Sequence, residues 1–242
     1  MTGILLAGLV VFATHALEAV TGFGCTVLAL PFITALFGLK SGVMTLTILA
    51  WLLALYIAIS KRGDIDWRQY AVIVAFVILG LPIGMYLFRH ADAKPLKKVL
   101  AAFIVLASSL QIAAHFSPKA ASRKLPKPLA YGLLFAGGII HGIFSSGGPL
   151  IVLYASGALP VKGKFRATLC LLWTTLNSIL IGGYLVSASI DRQTLVQTAA
   201  MLPFLVAGIA AGEFIHKRVA SKLFNLIVFG TLFCTGVIML AF

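Results

Sequence analysis

Two short polar stretches, each set inside an otherwise apolar run, carry residues that could hold a ligand: Thr21-Gly22-Phe23-Gly24-Cys25-Thr26 and Ser145-Ser146-Gly147-Gly148-Pro149. Glycine lets a backbone approach a ligand closely, and Pro149 has the fixed φ that suits the first turn of a helix beginning after Gly148. A helix N-terminus presents free N–H groups and a partial positive charge, which is chemistry that receives an anion. Thr21, Thr26, Ser145 and Ser146 add hydroxyl donors suited to oxyanion oxygens. The pattern predicts an anion site that needs no buried Lys or Arg, because all 19 of those residues read as belonging to short connections between apolar runs.

Further polar residues cluster near the two stretches. His15 and Glu18 stand one helical turn apart at i, i+3, so they can meet on one helix face just before the first stretch. An acid inside an apolar run is costly and points to ion or proton handling. The pair reads as the carrier of a coupling proton or as a neutral, hydrogen-bonded lock between helices, and the residues leave both open. His141 holds nearly the same place in the second half, as an anion donor or a packing histidine. Asn177, with Trp173, Thr174 and Thr175, either lines a pathway or bonds a neighbouring helix. Glu213 lies close to His216, Lys217 and Arg218 and reads as half of an interfacial ion pair. Trp51, Tyr56, Trp67, Tyr70 and Tyr86 read as interfacial rings that set depth.

Other chemistries find little support. Cys25, Cys170 and Cys234 are odd in number, sit in apolar segments and show no CxxC or His/Cys spacing, so neither a disulfide nor a metal site is predicted, and Cys25 lines the candidate site as a small apolar residue. A serine elbow and a cofactor fingerprint are both missing, which argues against an intramembrane enzyme and for no cofactor.

The elements that must position these residues are membrane helices. The 242 residues are 61% hydrophobic and 10% charged, with a mean hydropathy of +1.07, against about a quarter charged in a soluble domain. Apolar runs recur along the whole length, each long enough to cross about 30 Å of hydrocarbon at about 1.5 Å per residue. The predicted fold is an all-α integral membrane protein of about eight transmembrane spans, with re-entrant or half helices at the broken segments. A net charge of +13 then reads as contact with anionic headgroups and not with nucleic acid. The first segment lacks a basic leader and a cleavage site and reads as a retained span.

The order of elements in the first half recurs in the second. Ile4 to Val20, the Thr21–Cys25 stretch and Thr26 to Phe37 correspond to Leu129 to Phe144, the Ser145–Pro149 stretch and Leu150 to Leu159. Three further spans follow in each half: Val43 to Ile59, Tyr70 to Phe88 and Val99 to His115, against Ala167 to Val186, Leu195 to Ile215 and Leu223 to Phe242. The chain therefore divides into a first membrane repeat over 1–115, a basic, proline-rich linker over 116–128 and a second repeat over 129–242. Whether the repeats are parallel or inverted depends on how the broken segments cross, and the basic residues flank spans on both sides. Non-helical backbone in hydrocarbon survives only where protein, water or a ligand satisfies it. Two copies of such a break at matching positions are the layout of a transporter site between repeats.

At these residues the sequence resembles the TauE/SafE family, the toluene sulfonate uptake permeases. The resemblance rests on "TGFGCTVLALPFITALFG" and "HGIFSSGGPLIVLYASGAL", a glycine cluster followed by an apolar run in each half, and its duplicated layout extends over essentially the whole chain. It implies a carrier in the inner (plasma) membrane for sulfite, a sulfonate or a related organic anion, working by alternating access with proton coupling as one option. Thr21, Gly22, Gly24, Cys25, Thr26, His141, Ser145, Ser146, Gly147, Gly148 and Asn177 are the candidate substrate-binding residues, with His15 and Glu18 as candidates for coupling. A passive anion channel with the same donors and a carrier of another small organic anion are the alternatives. The partners are a small anion and the lipid bilayer, and a homo-oligomer stays open.

Overall fold

The computed structural model describes residues 2–116 and 126–216 and, near the end of the chain, residues 233, 234, 236, 237 and 240. Among them are nine α-helices and no strand: α1 (Thr2–Thr21), α2 (Cys25–Phe37), α3 (Leu39–Ser60), α4 (Trp67–His90), α5 (Ala93–Phe116), α6 (Lys127–Phe144), α7 (Gly148–Ala158), α8 (Lys162–Val186) and α9 (Arg192–His216). Six of them, α1, α3, α4, α6, α8 and α9, are long and apolar enough to cross a membrane, whereas α2 and α7 are short apolar helices. Residues 117–125 of the expected linker, and most of the expected final span, lie outside the described residues.

α3, α4, α5, α6, α8 and α9 each overrun their apolar cores into polar flanks. Membrane helices satisfy their backbone internally, so they continue until a cap or solvent takes over the terminal N–H groups. Asp66 caps α4 by accepting from the Gln69 amide at 3.1 Å, and Asp191 caps α9 by accepting from the Thr194 amide at 2.7 Å. Between α2 and α3 a single residue, Gly38, turns the chain at φ 82°, a backbone region that favours glycine.

Small residues set the helix pairs and reveal their directions. Gly208 and Gly212 of α9 press on Phe12 and Ala16 of α1 in the same order along both chains, so α1 and α9 run parallel. Gly80 and Gly84 of α4 meet Ile139 and Gly142 of α6, also in order, with no room for a Cβ between the backbones. Close approach through small residues is the usual route to tight packing where lipid supplies no hydrophobic drive between helices. Ser41 bonds Thr194 at 2.8 Å and Thr45 accepts from Thr198 at 3.4 Å, making α3 parallel to α9. The Asp66 amide donates to Thr168 and Tyr70 bonds Thr175, making α4 parallel to α8.

Since α3 and α4 form a hairpin through the short turn at Arg62–Asp64, the helices fall into two opposed sets: α1, α3 and α9 point one way, α4, α6 and α8 the other. α2 doubles back beside α1, with its Leu36 near Gly3. The helices that the expected repeats would match, α1 with α6, α3 with α8 and α4 with α9, therefore point in opposite directions. α1 packs on α9 as α4 packs on α6, and α3 crosses α8 at the centre.

Candidate functional site

The first break spans residues 22–24. Gly22 and Gly24 have φ of 86° and 107°, values that turn the chain from α1 into α2 and that a residue with a Cβ adopts only under strain. Gly22 also faces Arg166, and a Cβ there would stand 2.8 Å from the Arg166 Cα. The Thr21 hydroxyl bonds the carbonyls of Leu17 and Phe23, each at 2.9 Å, so it ties down the turn and has no proton left for a ligand. Glu18 reaches across the break and accepts from the Cys25 amide at 2.7 Å. The carboxyl group thus occupies the N-terminus of α2, the position that an anion would otherwise take.

In the second break, Ser145 takes the left-handed conformation at φ 52°, and α7 starts at Gly148 with Pro149 in its first turn. The Asn177 side-chain carbonyl accepts from the Ser145 hydroxyl at 2.7 Å and from His141 Nε2 at 3.0 Å. With its proton on Nε2, His141 accepts through Nδ1 from the Gly147 amide at 3.4 Å, which fixes the tautomer. Trp173 stacks on His141 with ring centroids 5.6 Å apart. Gly147 sits against the Gly137 carbonyl and His141 Cβ, so only glycine fits at that point of the α6–α7 turn.

The two breaks meet. The Trp173 indole donates to the Gly22 carbonyl at 2.9 Å, and the Phe23 ring lies 3.9 Å from where a Cβ on Gly148 would be. Between them is a cavity of about 20 Å³, lined by Glu18, Gly24 and Thr26 of the first half and by His141, Ser145, Ser146, Gly148 and Asn177 of the second, with Trp173 alongside. That volume exceeds the roughly 10–15 Å³ that admits one water molecule. The Ser146 hydroxyl is buried without a hydrogen-bond partner among the described residues, an arrangement that costs about 1–3 kcal/mol unless a ligand or water completes it. The amides of Gly148 and Leu150 lie in the first turn of α7, where no intrahelical carbonyl is available.

Of the expected site residues, Gly24, Thr26, His141, Ser145, Ser146, Gly148 and Asn177 line this cavity, and Glu18 joins them. Thr21, Gly22, Cys25 and Gly147 do not line it: the first two belong to the turn out of α1, Cys25 begins α2 and Gly147 belongs to the α6–α7 turn. His15 and Glu18 do not bond each other: His15 Nδ1 donates back to the Val11 carbonyl at 2.9 Å, leaving Nε2 buried without a partner among the described residues, while Glu18 reaches forward to Cys25. The shared face is real, but the two side chains leave it in opposite directions.

Three expectations need correction. Arg166 is not in a connection: α8 begins at Lys162 and carries Arg166 to 3% exposure. Its partner is Glu213 of α9, so Glu213 forms an ion pair away from the 216–218 cluster, of which Lys217 and Arg218 fall outside the described residues. Trp51 lies in the middle of α3, not at a span end, and donates to Ser178 of α8 at 2.8 Å. An aromatic in an apolar run is ambiguous from sequence, because an interhelical donor and an interfacial anchor use the same ring.

A family model, Sulfite exporter TauE/SafE, matches residues 6–239. No curated protein and no solved structure matches the chain.

Proposed function

The chain belongs to the sulfite exporter TauE/SafE family, a family of membrane transporters and not of enzymes, and from that premise we propose that it carries a small sulfur-containing anion, sulfite first among them, across the plasma membrane by alternating access. Two inverted repeats would form the carrier, with α5 as a further span beside the six and with α1–α2 and α6–α7 as the broken pairs. The opposed directions of α1 and α6, α3 and α8, and α4 and α9 support inversion, and a site between such repeats is the usual layout of a secondary transporter.

The observation that carries the substrate reading is the orphaned Ser146 hydroxyl in a cavity that also receives the first turn of α7. Hydroxyl and amide donors replace the hydration shell of an oxyanion there. At about 20 Å³ the cavity as it stands is close to the size of one water molecule, so an anion enters only as the two breaks move apart, and a compact ion such as sulfite asks for less movement than a sulfonate with a bulky organic tail. A ligand that binds only the folded state raises its melting temperature. Sulfite is expected to stabilise the solubilised protein, and Ser146→Ala to lose that shift while melting normally without ligand. A melting temperature indifferent to sulfite and to small sulfonates would overturn the assignment.

Glu18 supplies the coupling. An ionised carboxylate in the same cavity repels an incoming anion, and a proton on Glu18 removes that charge and frees the α2 N-terminus. Anion and proton then move together, and Glu18→Gln is expected to abolish uptake driven by a pH gradient while leaving exchange of anion for anion. Gradient-driven uptake that survives in Glu18→Gln would remove this residue from the mechanism.

A further inference from the structure

A second and much larger cavity, of about 820 Å³, opens where α3 and α9 begin and α4 and α8 end. We propose that this cavity is the aqueous vestibule through which the anion reaches the breaks, so that the structure shows the carrier open on this one side. The inference rests on the carrier reading above, and it names the route and the gate.

Three features place the route. Lys40, Arg89 and His90 stand at the rim against a single acid, Asp191, whose carboxyl the Thr194 hydroxyl and amide hold below the usual carboxylate range, and so ionised. The rim is thus cationic on balance and concentrates anions. The floor points at the binding cavity: Met44 and Tyr184 line the vestibule, whereas Ala50 and Asn177, further along the same two helices, line the break cavity. At about 1.5 Å per residue, six or seven residues of α3 and α8 put about 10 Å between the two spaces. That interval is filled by Leu46, Thr47, Leu49 and Leu180, all fully buried. These side chains form the closed inner gate at the crossing of α3 and α8.

The opposite end of the bundle is closed by polar ties among α4, α7, α8 and α9. Arg166 pairs with Glu213, the Asp66 amide donates to Thr168, Tyr70 bonds Thr175, and the Tyr154 hydroxyl donates to Gln69. In the inverted state these ties would open and the vestibule would close, as exchange of the two halves requires.

Gly182 gives the test. It lines the vestibule, and a Cβ on it meets nothing within 4 Å, so Gly182→Cys fits without displacing a neighbour. In a Cys234→Ala background, which removes the exposed native thiol, the membrane-impermeant anion 2-sulfonatoethyl methanethiosulfonate is the probe. The introduced thiolate would attack its sulfenyl sulfur, forming a disulfide and releasing methanesulfinate.

We expect labelling in sealed proteoliposomes from one face only, at least tenfold faster than in the Cys234→Ala parent, and a matching loss of sulfite transport. Ser187→Cys, at the vestibule mouth, serves as a second reporter and should label from the same face. Resistance of both positions to the charged reagent, with reaction towards a membrane-soluble maleimide, would make the cavity a lipid cleft and overturn the proposal. Full labelling with transport unchanged would overturn it as well, by making the cavity a dead end. Because labelling needs no substrate, it separates failure of the vestibule from failure of the sulfite assignment.

Discussion

Replacing Asn177 with Ala removes the one carbonyl that receives both the Ser145 hydroxyl and His141 Nε2. Asn177, Ser145 and His141 are 1%, 4% and 2% exposed, so water cannot replace the lost acceptor without opening the site. Each buried donor left unpaired costs about 1–3 kcal/mol, and two of them place Asn177→Ala at about 2–6 kcal/mol, in the upper range for a single substitution. For a chain of this length that corresponds to a fall in Tm of more than about 4 °C. Asn177→Asp separates scaffold from site. It keeps an acceptor for both donors, so its Tm should fall less, but it adds a second carboxylate to the cavity proposed to receive the anion. At about 4 Å and an effective dielectric of about 20 the repulsion is about 4 kcal/mol, or about three orders of magnitude in affinity. The assays are thermal unfolding of the solubilised protein and the concentration dependence of sulfite uptake. An Asn177→Ala protein that melts as the wild type does, or an Asn177→Asp protein with an unchanged KM for sulfite, would refute this reading of the break.

Gly22→Ala and Gly24→Ala both force a Cβ into positive φ, but only the first also collides with the Arg166 backbone. Thermal unfolding should therefore show Gly22→Ala as the more damaging by about 1–3 kcal/mol, the usual range for overpacking, and equal losses would contradict the packing of α8 on the first break. Glu213→Gln leaves Arg166 charged, buried and unpaired and should cost about 3–5 kcal/mol, whereas the double variant Arg166→Met with Glu213→Leu should recover most of that stability. A double variant no better than Glu213→Gln would mean that the pair does more than neutralise a charge. Gly147→Ala has ordinary φ but drives a Cβ into the Gly137 carbonyl. It should lower both Tm and sulfite uptake, and a fully active Gly147→Ala protein would show that the α6–α7 turn tolerates spreading.

The breaks were legible in the sequence because a cluster such as Ser-Ser-Gly-Gly-Pro interrupts a helix in the middle of an apolar segment, where a lone glycine serves close helix packing just as well. Helix cores were legible for the same reason, by apolar length. Their ends were not, because α8 keeps its helical hydrogen bonds for a turn before the apolar run begins at Ala167, and Arg166 goes into the interior with it. A buried arginine is tolerated when an acid on another helix neutralises it, and Glu213, 47 residues away, gives no local signal of that role. His15 and Glu18 show the complementary limit. Spacing places two residues on one face, but the Val11 carbonyl and the Cys25 amide offer them better partners than each other. Asn177 was found as a polar residue on the right span, while its part in fixing the His141 tautomer depends on the fold of the second break. The opposed directions of α1 and α6, α3 and α8, and α4 and α9 emerge only from the order of the glycine contacts and interhelical hydrogen bonds in the fold.

Sulfite uptake into proteoliposomes holding wild type or Ser146→Ala, measured over a range of sulfite concentrations, tests the central claim most directly. Saturable uptake in the wild type, with a KM raised at least tenfold in a Ser146→Ala protein of unchanged Tm, is the predicted result, since a donor hydroxyl to a charged ligand contributes about 1.5–3 kcal/mol. Saturable uptake with the same KM in both proteins would place the anion elsewhere and contradict the claim.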